Sequence, residues 1–182
     1  MNTVLYFGSF NPFHIGHAEI AKYVAKLDWV DEVCFILSPH NPFKQKSTLK
    51  DAKLRWANIQ RVTQHLNTEL QCNKFTANNI EFNLTPPLYT YNTLNELNTL
   101  FPDKTFYILM GADNLAILKK WYKGEEIIKN YKILVYPREG YNIKELCKEY
   151  GAIFIDAPLH NISSTQIREM ISKGEDVSKL VY

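Results

Sequence analysis

The stretch Val4-Leu5-Tyr6-Phe7-Gly8-Ser9-Phe10-Asn11-Pro12-Phe13-His14-Ile15-Gly16-His17 decides how this chain folds. Four apolar residues, 4–7, read as a buried strand; Gly8 breaks it, and an irregular turn runs to Gly16. From His17 the apolar residues Ile20, Ala21, Val24 and Ala25 fall at helical spacing, which predicts a helix over 17–27. A strand, a glycine-bounded turn and a helix bring free backbone N–H groups and the positive end of a helix dipole to one point, which suits a phosphate. His14 and His17 flank the end of that turn, and each can donate to a phosphate oxygen through a ring nitrogen. As zinc ligands they would need a third protein ligand. No Cys or carboxylate nearby has a fitting spacing, so no metal site is expected.

Outward from this turn, apolar strand patterns recur at 33–37, 106–110, 133–136 and 153–155. Helical patterns lie between them at 50–66, 91–100, 113–119 and 143–150. In the second helix Leu54, Ala57, Ile59, Val62 and Leu66 are the expected core face. The segment 72–82 fits a short strand around Phe75 and an irregular edge around Glu81. Alternating strands and helices predict an α/β fold, a doubly wound, Rossmann-like parallel sheet with helices on both faces. Ligands of such sheets bind at the carboxyl ends of the strands, where the 8–16 turn belongs. There is no internal repeat, low-complexity tract or linker, so residues 1–182 are expected to form a single domain.

Composition narrows the function classes. At 46% hydrophobic residues the chain is neither disordered nor membrane-spanning, and no apolar run approaches bilayer length. A net charge of +2 does not argue for nucleic acid, so an anion site must be local. The N-terminus enters a strand at once, so no signal peptide is expected. Cys34, Cys72 and Cys147 are scattered and odd in number, which fits a reducing cytoplasm.

Four further stretches fall at the same sheet edge. The second strand ends in Ser38-Pro39-His40-Asn41-Pro42-Phe43-Lys44-Gln45-Lys46, a loop whose lysines are either solvated or within reach of a phosphate. The run Tyr89-Thr90-Tyr91-Asn92-Thr93-Leu94 opens a helix that Thr90 or Asn92 can cap. The strand 106–110 runs into Gly111-Ala112-Asp113, where Asp113 serves either as a helix cap or as an acceptor for ribose hydroxyls. Beyond it, the adjacent Trp121 and Tyr122 are packing residues or flat rings able to stack on a pyridinium. Finally, Ser163 and Gln166 have capping-box spacing. The hydroxyls of Ser163, Ser164 and Thr165 crowd that helix N-terminus, with Arg168 one turn in. Alone this is a capped helix; beside the first turn it reads as a second phosphate site.

The run 8–17 resembles the G-S-F-D-P-x-H-x-G-H signature of the nucleotidylyltransferase superfamily, with Asn11 in place of the common Asp. Residues 162–168 match its I-S-S-T-x-I-R signature without a mismatch. Residues 88–94 are similar to the S-Y-T-x-D-T-L motif of the nicotinate mononucleotide adenylyltransferases, with Leu88 replacing Ser and Asn92 replacing Asp. Gly111-Ala112-Asp113, Leu115, Trp121 and Glu125-Glu126-Ile127 resemble that family's G-A-D-x-L…W…E-E-I stretch. The turn at Tyr136-Pro137-Arg138 resembles its V-x-x-R-P-G turn with Arg and Pro exchanged, which leaves the role of Arg138 open. The resemblance runs from Val4 to Val181.

The resemblance implies transfer of the adenylyl group of ATP to nicotinate mononucleotide, giving nicotinate adenine dinucleotide and pyrophosphate, a step of NAD biosynthesis. It implies His14, His17 and Arg168 as catalytic residues. It implies ATP binding by Gly8, Ser9, Phe10, Gly16, Lys44, Gly111, Asp113, Ser163, Ser164 and Thr165. The mononucleotide would fall to Tyr89, Thr90, Trp121 and Tyr122. Mg²⁺ is expected to arrive with ATP. The attacking 5′-phosphate is already anionic, so positioning and charge stabilisation suffice and no general base is needed. A homo-oligomer is compatible with the sequence. The alternatives are an adenylyltransferase for nicotinamide mononucleotide or phosphopantetheine, and a non-catalytic nucleotide-binding module on the same fold. Intact His14, His17 and Arg168 count against the last.

Overall fold

The computed structural model of the chain describes residues 1–39, 49–158 and 162–182. Its strands are β1 (Asn2–Gly8), β2 (Glu32–Leu37), β3 (Phe75–Asn78), β4 (Thr105–Gly111), β5 (Lys132–Tyr136) and β6 (Ile153–Phe154). Its helices are α1 (Ile15–Ala25), α2 (Leu49–Glu69), α3 (Thr90–Leu100), α4 (Ala112–Leu115), α5 (Gly124–Asn130), α6 (Ile143–Tyr150) and α7 (Ser164–Ser172). Single 3₁₀ turns stand at Ile80–Phe82 and Leu118–Lys120. The strands form one sheet in the order β3-β2-β1-β4-β5-β6, and every named pairing is parallel. The strand order reverses between β1 and β4, which opens the crevice beyond their carboxyl ends. Gly8 ends β1 and Gly111 ends β4, so both glycines face that crevice.

The apolar strands supply both cores because alternate residues point to opposite faces. Val4 and Tyr6 pack with Ala21 and Val24 of α1 and Ile59 and Leu66 of α2. Leu5 packs on the other side with Leu94 of α3, Leu115 of α4, Ile127 of α5 and Tyr150 of α6. Fully buried side chains such as Phe35 and Leu109 contribute about 2 kcal/mol each. Cys34, Cys72 and Cys147 form no disulfide. No helix among the described residues is long and apolar enough to cross a membrane.

Several local expectations shift. Helix α1 starts at Ile15, two residues before the apolar periodicity, because His14 in extended backbone is its N-cap. Tyr89 precedes α3 and Gly111 precedes α4, so neither Thr90, Asn92 nor Asp113 occupies an N-cap. The expected helix over 113–119 is instead the single turn α4 followed by a 3₁₀ turn, and α5 begins afresh at Gly124. Lys123 in left-handed backbone (φ +52°) makes the break. A Cβ on Gly124 would lie 1.9 Å from the Leu118 carbonyl oxygen, so glycine alone lets the two segments close. In α2 the buried stripe is Ala52, Arg55, Ile59, Val62 and Leu66, while Leu54 is 64% exposed. The helix is rotated so that Arg55 occupies an inward position.

Candidate active site

The turn after β1 is built inside out. Its two phenylalanines are core residues: Phe10 is 2% exposed and Phe13 fully buried. Phe10 lies edge-on to Tyr6 and Phe35, with ring centroids 5.8 and 5.7 Å apart. To bring its ring back under the strand, Phe10 adopts a φ of +43°. A Cβ on Gly8 would lie 2.8 Å from that ring, so Gly8 is the residue that admits it. Anchored this way, only the backbone of Phe10 is available to a nucleotide. Its side chain is excluded from the ligand edge.

At the end of the turn the rings of His14 and His17 stack at 3.7 Å. His14 is buried, and its N–H donates to Nδ1 of His17 at 3.3 Å. That bond leaves the proton of a neutral His17 on Nε2. Burial first, then the neighbouring His14 and Arg138, hold His17 well below the usual histidine range. At neutral pH it is an uncharged ring with a single donor, Nε2–H.

Helix α7 arrives at the same turn from the far end of the chain. Ser163 caps it: its hydroxyl accepts from the Gln166 N–H at 3.2 Å, and its N–H donates to the Gln166 side chain at 2.8 Å. The Ser164 hydroxyl donates to the Pro12 carbonyl at 3.0 Å. Arg168 donates to the Asn11 carbonyl at 2.6 Å and to the Thr165 hydroxyl at 3.0 Å. The segment beyond α7 closes over the turn as well, with the Ile15 N–H on the Leu180 carbonyl at 3.0 Å and Val181 bridging His14. The two expected phosphate motifs are therefore one place. Lys44 lies outside the described residues.

The carboxyl end of β4 supplies the second half. Asp113, second residue of α4, pairs with Arg138, its Oδ1 3.5 Å from Nε. A Cβ on Gly111 would lie 2.3 Å from that Oδ1, so Gly111 makes room for the carboxylate. Arg138 also donates to the Tyr136 hydroxyl at 3.5 Å, and the Tyr136 and Tyr6 hydroxyls meet at 3.3 Å. Burial pushes both phenols upward, keeping them neutral.

Between β1 and β4 a cleft is lined by Tyr6, Thr90, Asn114, Trp121 and Tyr136 among others. The Trp121 indole N–H is buried there with no hydrogen-bond partner among the described residues. At the same mouth, the N–H groups of Thr90 and Tyr91 in the first turn of α3 have no backbone acceptor among the described residues. The helix is held by Thr93, whose hydroxyl donates to buried Glu81 at 2.9 Å. Tyr89 and Tyr122 stack on each other at 4.6 Å, and Tyr122 is 47% exposed. Sequence reasoning missed Tyr6, Tyr136 and Asn114 as lining residues and Arg55 and Glu81 as buried polar anchors. The available signal was a phenol on an apolar strand and a charge inside a helical stripe, since buried polar groups require partners. Among the described residues no group of three or more His, Cys, Asp or Glu could hold a metal ion.

A parallel sheet of this strand order, with two phosphate-type motifs meeting at its switch point, defines a Rossmann-like nucleotidylyltransferase fold. The chain belongs to the cytidylyltransferase-like family, whose model matches residues 5–170, and within it to the nicotinate-nucleotide adenylyltransferase group. It is 37% identical over 180 residues to a Bacteroides fragilis protein named probable nicotinate-nucleotide adenylyltransferase, covering 99% of this chain and 87% of that one. To a Flavobacterium johnsoniae protein of the same name it is 39% identical over 184 residues, covering 100% of this chain and 92% of that one. The fold is also that of the solved Plasmodium falciparum nicotinic acid mononucleotide adenylyltransferase complexed with NaAD. The TM-score is 0.81 at 20% identity, over 100% of this chain and 90% of that one.

Proposed function

We propose that this chain, as one catalytic domain in the cytoplasm, transfers the adenylyl group of ATP to nicotinate mononucleotide. A 5′-phosphate oxygen of the mononucleotide attacks the α-phosphorus of ATP. The bond from that phosphorus to the oxygen bridging to the β-phosphorus breaks, and pyrophosphate leaves with the electron pair. ATP enters as its Mg²⁺ complex. Its phosphates occupy the turn, where His14, His17 and the backbone from Gly8 to Phe10 donate. Arg168, Ser163, Ser164, Thr165 and Lys44 steady the leaving pyrophosphate. Gly111 admits the nucleotide to the edge of β4, and Asp113 accepts from its ribose. In the cleft Trp121 stacks on the pyridine ring, and the first turn of α3 at Thr90 offers N–H donors to the carboxylate.

The observation that carries this reading is the convergence of the turn and α7, sealed by the Arg168–Asn11 and Ser164–Pro12 hydrogen bonds. It concentrates hydrogen-bond donors at the place proposed for the triphosphate. The names of the relatives and the ligand in the Plasmodium falciparum structure support the acceptor. Pyrophosphate release from MgATP with each of the candidate acceptors tests it.

A further inference from the structure

Arg55 interrupts the buried stripe of α2 and is 7% exposed. Its Nη1 donates to the carbonyls of Ser9 at 2.6 Å and Ser38 at 3.1 Å, and its Nη2 to that of Pro39 at 2.9 Å. These carbonyls belong to two segments, the turn after β1 and the end of β2. Desolvating a guanidinium is costly, and an apolar side chain would fill the same stripe without that cost. The planar fork, with donors on separate nitrogens, suits a strap between two segments better than packing alone requires.

The strap has a consequence for the turn. The Ser9–Phe10 peptide is trans, so its carbonyl and N–H point in opposite directions. With the Ser9 carbonyl turned onto Arg55, the Phe10 N–H is turned away from it. That N–H has no backbone acceptor among the described residues. Phe10 holds left-handed backbone, a conformation that L side chains disfavour and that its surroundings must maintain. The buried ring fixes one side of the peptide, and Arg55 fixes the other.

We propose that Arg55 is a positioning residue for the triphosphate. It orients the Ser9–Phe10 peptide so that the Phe10 N–H is presented to a nucleotide phosphate, and it ties that turn to the end of β2, without itself touching substrate. The inference rests on the reading of this turn as the ATP site.

The test is calorimetric binding of a non-hydrolysable ATP analogue to the wild type, Arg55→Lys and Arg55→Ala, beside steady-state KM values for ATP and the mononucleotide. The expected result is a rise of about tenfold or more in the analogue Kd and ATP KM for Arg55→Ala, a smaller rise for Arg55→Lys, and a mononucleotide KM within about twofold of wild type. Millimolar guanidinium should restore part of the analogue affinity to Arg55→Ala and add none to the wild type. If Arg55→Ala does not fold, Arg55→Lys carries the test alone. Unchanged analogue affinity in a folded variant overturns the inference, and so does an equal rise in both KM values, which is general loosening. A wild type that does not bind the analogue overturns the parent reading and this inference with it; a wild type that binds and variants that match it overturn only the inference.

Discussion

Arg168 donates to the backbone carbonyl of Asn11 at 2.6 Å, across 157 residues of sequence. The same guanidinium receives orientation from Thr165 at 3.0 Å. The arginine of the last helix is thus aimed before any nucleotide arrives, and its aim depends on the first turn of the chain. Arg168→Ala should lower kcat/KM about 10²-fold, as loss of a preorganised donor does. Because the bond is exposed, stability should fall by only about 1 kcal/mol. Urea unfolding and pyrophosphate release measured on one preparation check both. Near-normal turnover would remove Arg168 from the site.

His17 has two duties that can be separated. Its Nδ1 accepts the His14 N–H, and its Nε2–H is the donor proposed for a phosphate. His17→Asn retains an acceptor near the helix start and loses the distal donor. Turnover should fall about 10²-fold or more while far-ultraviolet dichroism and the melting temperature stay close to wild type. Full activity in His17→Asn would show that the Nε2 proton is not used.

Trp121 should report on one substrate only. Its indole lines the cleft with Thr90 and Asn114, where the pyridine ring is proposed to bind. Trp121→Phe should weaken the mononucleotide by about tenfold and leave the ATP analogue unchanged, since stacking with a cation falls as the ring shrinks. Titration calorimetry with each ligand separates the two. Equal weakening of both would contradict stacking as its role.

The break between α4 and α5 makes a stability prediction. A methyl on Gly124 meets the Leu118 carbonyl at 1.9 Å, and this obstacle is backbone rather than a flexible side chain. Gly124→Ala should lose about 3 kcal/mol of unfolding free energy. A loss under about 0.5 kcal/mol would mean that the segment relaxes freely.

Glu81 fixes a pH dependence. Burial raises its pKa against the offsetting hydroxyls of Ser38 and Thr93. A carboxyl whose folded pKa is raised favours the fold most below its unfolded value, and that contribution is lost as pH rises through the folded value. Glu81→Gln keeps an acceptor for Thr93 and removes the charge. Its stability relative to wild type should therefore increase from pH 4 to pH 7, followed by urea unfolding at each pH. A constant difference would show that Glu81 does not titrate out of step with the unfolded chain.

What was legible in the sequence divides along physical lines. Strands β1, β2, β4 and β5 carry runs of buried apolar residues, so their alternation with helices was plain. Strand β3 buries only Phe75, and it blurred into the irregular segment beside it. In α2 the expected Ile59, Val62 and Leu66 are buried, but periodicity counts apolar residues and so took Leu54 and Ala57 for the same face, where the helix turns Arg55 inward and leaves both of them exposed. Gly124 sat in view, yet its reason lies in a carbonyl brought near by the fold. The phosphate motifs were legible because each is contiguous in sequence. Their partnerships were not. Arg168 with Asn11, Asp113 with Arg138 and Arg55 with Ser9 are made only when the sheet brings distant segments together. The stacking of Tyr89 on Tyr122 is another such partnership, made between α3 and the turn before α5 and invisible in either stretch alone.

The most direct test is pyrophosphate release by the purified protein with MgATP, offered nicotinate mononucleotide, nicotinamide mononucleotide and phosphopantetheine in parallel. Release with nicotinate mononucleotide, clearly above the other two, is the result predicted by a triphosphate turn beside a cleft that ends on helix N–H donors. No release with any acceptor while the ATP analogue still binds would contradict it and leave a nucleotide-binding module on the same fold.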